Sequence, residues 1–298
     1  MEQLKEQYKG KKVLVTGGSG FIGSHLVEKL IELKAKVTVL DNFTSGNLKN
    51  LKNVITQVNL IYGDIRSHYT CIKATKNQDF VFHTAALVSV PKSTKHPITC
   101  NEINVKGTEN LLKASLQNNI KTFVLSSSAA IYGNKNDICS EEDKPNPQSP
   151  YAESKLQGEL LCKQYSKQHN LNCVSLRYFN VYGEKQNPAG EYAAVVAKFK
   201  ENLIYRKPIV IFGNGKQTRD FVHVSKIVEA NLKIALKNNL NGVVYNIATG
   251  KSISLLELLE QLEKEMNIEK TQILYKNPRA GDIFTSKANC DKYKNLEI

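Results

Sequence analysis

Lys12-Val13-Leu14-Val15-Thr16-Gly17-Gly18-Ser19-Gly20-Phe21-Ile22-Gly23 decides the fold. The first five residues read as a buried strand. Gly17, Gly20 and Gly23 then fall at the spacing of a phosphate-binding turn, and an amphipathic helix is expected from about Ser24 to Leu33. Gly17 suits the tight turn, Gly20 lets a pyrophosphate approach the backbone, and Gly23 lets the helix pack closely on the strand. The first helix amides then face the phosphate. A second strand, Lys36-Val37-Thr38-Val39-Leu40, ends in Asp41. An acid there hydrogen-bonds an adenosine ribose and repels a 2′-phosphate, which favours NAD over NADP.

Outward from this unit, strand and helix alternate. Strands are expected near 12–16, 36–40, 54–62, 79–85, 121–127 and 173–179, with helices between them. This is an α/β pattern, a doubly wound, Rossmann-like parallel sheet covered on both faces. After about residue 180 the elements shorten and Pro188, Gly190, Pro208, Gly213 and Gly215 interrupt them. The expected division is a dinucleotide-binding domain over 1–180, with 222–250 returning to it through a strand at Val243 to Ala248. A smaller substrate-binding lobe takes 181–221 and 251–298.

The 298 residues suffice for a large core. No stretch approaches the roughly 18 apolar residues of a membrane span, and Met1-Glu2-Gln3-Leu4-Lys5 lacks the apolar core of a signal peptide. Six scattered cysteines without a Cys-x-x-Cys point to a reduced, cytoplasmic protein with no structural metal. The net charge of +13 raises the question of nucleic acid, yet the lysines are spread along the chain among acids rather than gathered in a stripe. Only five arginines stand against 36 lysines, and Arg219 and Arg279 lie in motif-like segments of the second lobe. A guanidinium fork suits a diphosphate.

The chemistry centres on Tyr151 and Lys155, four apart and so on one helix face, 23 residues after Ser126-Ser127-Ser128. A phenol loses its proton near pH 10. To act as a base near neutrality its pKa must fall by about three, roughly 4 kcal/mol. A neighbouring ammonium and a nicotinamide's positive charge supply such a shift, and a serine hydroxyl can share the substrate's proton.

These residues resemble the extended short-chain dehydrogenase/reductase family, and within it the nucleotide-sugar 4-epimerases. The likeness spans essentially the whole chain, carried by Gly17 to Gly23, Asp41, Gly63-Asp64-Ile65, His83-Thr84-Ala85-Ala86, Asn104 to Thr108, Ser126 to Gly133, Tyr151 to Lys155, Leu176 to Gly183, Arg219-Asp220-Phe221 and Arg279 to Asp282. The resemblance implies catalytic roles for Ser128, Tyr151 and Lys155. It implies NAD contacts from Gly17, Gly20, Phe21, Ile22, Gly23, Asp41, Asn42, Ser45 and Gly46. Asp64 and Ile65 would border the adenine. Ala85, Ala86, Asn104 and Ser126 would line the cofactor path, and Tyr178 would close over the nicotinamide side. Asn180, Arg219, Arg279 and Asp282 would grip a uridine diphosphate. Ser89, Ser127, Ala194, Val195, Phe199, Val210 and Phe212 complete the implied substrate site. A homodimer through helices near 98–117 and 151–168 is also implied.

Relatives that dehydrate the sugar carry an acid pair right after the catalytic hydroxyl residue, and those that decarboxylate carry a glutamate in the second of these positions; here Ala129 and Ala130 stand there. Without that proton donor or acceptor the chain is suited to oxidise and re-reduce carbon 4, an epimerisation. Seven places after Arg279 lies Ser286. In epimerases of this kind a tyrosine there confines the pocket to plain hexoses, and a small residue admits an N-acetyl group. The expectation is therefore interconversion of UDP-GlcNAc and UDP-GalNAc, with UDP-Glc/UDP-Gal or the uronic acids as alternative substrates. A non-catalytic dinucleotide-binding protein is the distant alternative.

Overall fold

The structure is a computed structural model describing residues 2–135, 137–187, 195–278 and 284–296. A short helix α1 (Glu2–Tyr8) precedes β1 (Lys12–Thr16), the glycine loop, α2 (Phe21–Glu32) and β2 (Lys36–Asp41). Next come β3 (Val58–Tyr62), α3 (His68–Thr75), β4 (Phe80–His83), α4 (Val90–Lys95), α5 (Pro97–Asn101), one π-helical turn at 102–106 and α6 (Gly107–Gln117). They are followed by β5 (Thr122–Ser128), β6 (Ile138–Cys139), α7 (Pro150–His169), β7 (Cys173–Tyr178) and β8 (Asn180–Tyr182). The remainder comprises α8 (Val195–Ile204), β9 (Ile209–Phe212), β10 (Thr218–Arg219), β11 (Phe221–His223), α9 (Val224–Ala235) and β12 (Val243–Ile247). The last elements are β13 (Ile253–Ser254), α10 (Leu255–Glu265), β14 (Ile273–Lys276), β15 (Thr285–Ala288) and α11 (Asp291–Lys294).

Seven strands form one parallel sheet in the order β12-β7-β5-β4-β1-β2-β3. Strand alternation feeds a core on each face. Val13 and Val15 pack with Leu26, Leu30 and Ile227 on the α2/α9 side, while Leu14 packs with Leu111, Phe123 and Cys162 on the α3/α6/α7 side. The order reverses between β1 and β4. A crevice at the carboxyl ends of the strands is expected there, where this fold binds ligands.

Two expectations need adjustment. Ile55–Gln57 is a 3₁₀ turn rather than the start of a strand, and pairing with β2 begins at Val58. Ile138–Cys139, well before residue 180, pairs with β15 in a separate four-stranded sheet of order β13-β10-β15-β6. The loop after β5 therefore reaches into the smaller sheet, while β12 joins the main one beside β7. Val196, Phe199, Leu203, Ile209, Ile211, Leu258 and Leu262 form a core for α8, β9 and α10.

Candidate active site

The glycine loop is built by close approach. Gly17 has φ +68°, and a Cβ there would lie 2.7 Å from the Ala85 nitrogen. A Cβ on Gly23 would lie 2.2 Å from the Gly17 carbonyl oxygen, so α2 can seat on β1 only through glycine. A Cβ on Gly20, in contrast, would meet only the Gly17 oxygen, at 3.1 Å. Gly20 caps α2 without any side-chain bond, which leaves the first amides directed at an anion. Among the described residues Ser19 Oγ, buried beside this turn, has no partner. Asp41 accepts from the Ser19 amide at 2.9 Å and the Phe43 amide at 2.8 Å, so it also shapes the loop. Each carboxylate oxygen keeps a further lone pair. The cradle fits a dinucleotide: Gly17 to Gly23 for the pyrophosphate and Asp41 for the ribose.

Around it, Gly46 packs on Ser19 and Asp41, and Ser45 is exposed. The Asn42 amide donates to Asp64, whose carboxylate also takes two bonds from the Arg66 guanidinium. The Arg66 guanidinium holds the Asp64 carboxyl below its ordinary pKa, against a smaller opposing effect of burial. Ile65 is buried against Gly107. Asn104 does not line an open path. Its Oδ1 accepts from the Leu87 amide at 2.8 Å, and its Nδ2 donates to the Leu87 carbonyl and to Ser154 Oγ at 2.9 Å. It clamps the segment after β4 to α7. Behind it, Thr108 donates to the Asn104 carbonyl and so accepts from His83 Nε2, while His83 Nδ1 meets Thr16 Oγ1 at 2.8 Å. Burial first, then the Lys155 charge, pushes the His83 pKa down to about 3, so the ring stays neutral.

Ser149 caps α7 through the Ala152 amide, and Pro150 occupies the first turn. One turn on, Lys155 lies buried with Nζ 2.8 Å from the Ser126 carbonyl and 5.9 Å from the Tyr151 ring centre. Burial pushes the Lys155 pKa down to about 8, opposed by neighbouring Cys100 and Glu159. Burial raises the Tyr151 phenol, and the Ser128 hydroxyl beside it pulls the other way. The Tyr151 amide donates to Ser93 Oγ, a support that no sequence motif marked.

A cavity of about 250 Å³ opens at Ser128. Ser128, Ala130, Tyr178, Asn180, Arg219 and Ser286 line it, as do Lys135, Cys139 and Thr285, which the sequence reading had not singled out. Ser286 is paired with Arg219 across β15 and β10, and Asn180 Nδ2 lies 3.4 Å from its hydroxyl. Arg219 donates to the Thr218 carbonyl at 2.9 Å. Tyr178 shares its hydroxyl with Ser126 and Asn231.

Two implied substrate contacts turn inward. Ser127 alternates to the α7 face of β5, where its hydroxyl donates to Glu159 at 2.6 Å. Phe199 is 2 % exposed in the core of the smaller lobe. Val195 packs against that core, Val210 and Phe212 are half-buried on β9, and Ser89 caps α4 through the Lys92 amide. Ala194, Arg279 and Asp282 lie outside the described residues.

Comparison with known proteins agrees with this arrangement. The model of the NAD dependent epimerase/dehydratase family matches residues 13–248, and the chain belongs to that family. NAD is accordingly its cofactor. It is 39% identical over 287 residues to a "Putative UDP-glucose 4-epimerase" of Methanocaldococcus jannaschii, covering 95% of this chain and 92% of that one. The structure of the UDP-N-acetylglucosamine 4-epimerase of Methanobrevibacter ruminantium, in complex with UDP-N-acetylmuramic acid, superimposes with a TM-score of 0.92 at 38% identity, covering 97% and 93%. That of the Thermus thermophilus UDP-glucose 4-epimerase with NAD gives 0.85 at 34% identity, covering 95% and 92%.

Proposed function

We propose that this protein is a UDP-sugar 4-epimerase whose preferred pair is UDP-GlcNAc and UDP-GalNAc. The carrying observation is the cavity itself. It is lined by Ser128, whose hydroxyl lies beside the Tyr151 phenol, and by Ala129 and Ala130, where a dehydratase or decarboxylase needs a carboxyl group. Tyr151 takes the proton of the sugar 4-hydroxyl, relayed by Ser128, and Lys155 holds the phenolate. Bound NAD, held by Gly17 to Gly23 and Asp41, would supply the acceptor and donor of the carbon-4 hydride. Between the two transfers the ring turns about its diphosphate tether, so Arg219 and Asn180 hold the nucleotide end while the sugar walls stay loose. Small residues at that wall, Ser286, Ala130 and Cys139, leave room for an acetamido group. UDP-Glc/UDP-Gal is the second reading, favoured by the name of the Methanocaldococcus relative.

A homodimer is part of the proposal, with Ile98 at 75 % and Leu160 at 49 % exposure on α5 and α7 as apolar contacts for a second copy. Light scattering on the purified protein reads that directly. Among the described residues no helix is long and apolar enough to cross a membrane. Purified protein given UDP-GlcNAc, and separately UDP-Glc, with no added cofactor, should form UDP-GalNAc by NMR. Conversion of UDP-Glc alone would remove the N-acetyl preference, and conversion of neither with NAD added would remove the epimerase.

A further inference from the structure

Glu159 and Arg177 form an ion pair that the reaction above leaves without a role. Both side chains are 4% exposed. Arg177 Nε meets Glu159 Oε1 at 2.9 Å and Nη2 meets Oε2 at 2.7 Å, a bidentate fork, and the Ser127 hydroxyl also donates to Oε1. Among the described residues Arg177 Nη1 meets no acceptor in good hydrogen-bond geometry. The guanidinium carbon instead lies 4.7 Å from the centre of the Tyr132 ring, which lines the cavity. Replacing a buried pair of this kind by well-packed apolar residues often costs no stability, which directs attention to what else the pair does.

Its connections supply one. Tyr151, Lys155 and Glu159 follow one another at intervals of four along one face of α7. Ser126 holds the Lys155 ammonium by its carbonyl, and the next residue holds Glu159 by its hydroxyl. Ser128 caps the turn that ends at Tyr132, the ring on which Arg177 rests. We propose that the Glu159–Arg177 pair is the positioning device of the active site: it pins the Ser128 turn through Tyr132 and keeps the charge environment of Lys155 neutral on the β7 side. The proposal rests on the 4-epimerase reading of the same site.

Burial, Cys100 from α5 and Glu159 on α7 act on the Lys155 ammonium, with the Tyr151 ring 5.9 Å away and neutral His83 on β4. Arg177 on β7 is joined to this group through Glu159. Glu159 favours the ammonium. Glu159→Gln leaves a bare guanidinium in the interior and removes that support together, so Lys155 loses its proton at lower pH. Removing Arg177 as well restores charge balance.

The test compares kcat against pH for wild type, Glu159→Gln and the Glu159→Gln/Arg177→Met double variant, with the melting midpoint of cofactor-free protein followed over pH 6 to 10. The single variant should move the alkaline limb at least about half a pH unit towards neutrality. The UDP-sugar KM should change less than about threefold, since no substrate contact is altered. The double variant should return the limb part of the way, since the unmatched guanidinium is gone while the Glu159 support stays absent. A folded single variant with an unshifted limb, or a shift that the double variant does not reduce, overturns the proposal and leaves a purely structural pair. If wild type converts no UDP-sugar, that failure belongs to the reaction. The pair is then judged by whether the pH at which the midpoint begins to rise falls in the single variant and recovers part of the way in the double.

Discussion

The proposed reaction gives Lys155 two tasks that pull its pKa in opposite directions. In that reaction it must be charged to hold the Tyr151 phenolate, yet its burial pushes its pKa down to about 8. kcat should therefore fall on the alkaline side above about pH 8, as the ammonium deprotonates and the phenolate loses its partner. Lys155→Met should lower kcat by about 10²–10⁴-fold at neutral pH, with a smaller change in KM. The same group leaves a mark on stability. Its folded pKa lies below that of the unfolded chain, so the fold carries a penalty at pH values below about 8. That penalty is relieved as pH rises from about 8 towards the unfolded value near 10.4. Melting midpoints of the cofactor-free protein in that window should rise with pH in wild type and stay flatter in Lys155→Met. A flat wild-type profile would place the ammonium in a more solvated setting than the structure gives it.

The glycine loop and its two strands are the element on which the cofactor depends. A Cβ at Gly23 meets the Gly17 carbonyl at 2.2 Å, and neither partner is a flexible side-chain end. Gly23→Ala should push α2 off β1, and protein purified from that variant should carry less than about a tenth of the wild-type NAD, read by cofactor release on denaturation. This part of the molecule was legible in the sequence because hydrophobic period, glycine spacing and the acid after β2 all point the same way. Elsewhere one signal stood alone. Three consecutive serines end β5, and since both sheet faces are buried, nothing in the run says that Ser127 turns towards α7 and Glu159. An apolar residue on a short amphipathic helix reads alike whether it walls a ligand or fills a core, and Phe199 fills the core of its lobe. The β-branched Ile55 gave no sign that ladder pairing starts only at Val58. The π-helical turn that places Asn104 leaves no mark in composition, and its asparagine turned out to clamp Leu87 and Ser154.

The cavity joins parts of the chain that are far apart in sequence. Ser128 comes from the main sheet, Asn180 from β8, Arg219 from β10 and Ser286 from β15. A nucleotide held there ties these elements together, and its binding energy appears as stability of the whole molecule. Free UDP at about 100 times its Kd should add about 2.7 kcal/mol, a rise of roughly 5 °C in melting midpoint for a protein of this size. Arg219→Lys replaces a fork with a point charge and should shrink that rise, because the ammonium cannot match a diphosphate bidentately. Ser286→Tyr should leave the UDP-induced rise intact, since in the proposed site it narrows only the sugar end of the cavity. The same variant should lose UDP-GlcNAc turnover by at least about tenfold while retaining UDP-Glc turnover, the magnitude expected when an acetamido group is excluded sterically. Loss of the UDP response in Ser286→Tyr would mean that β15 holds the nucleotide and not the sugar. An unchanged UDP-GlcNAc rate would mean that the acetamido group lies elsewhere in the cavity, towards Lys135 and Cys139.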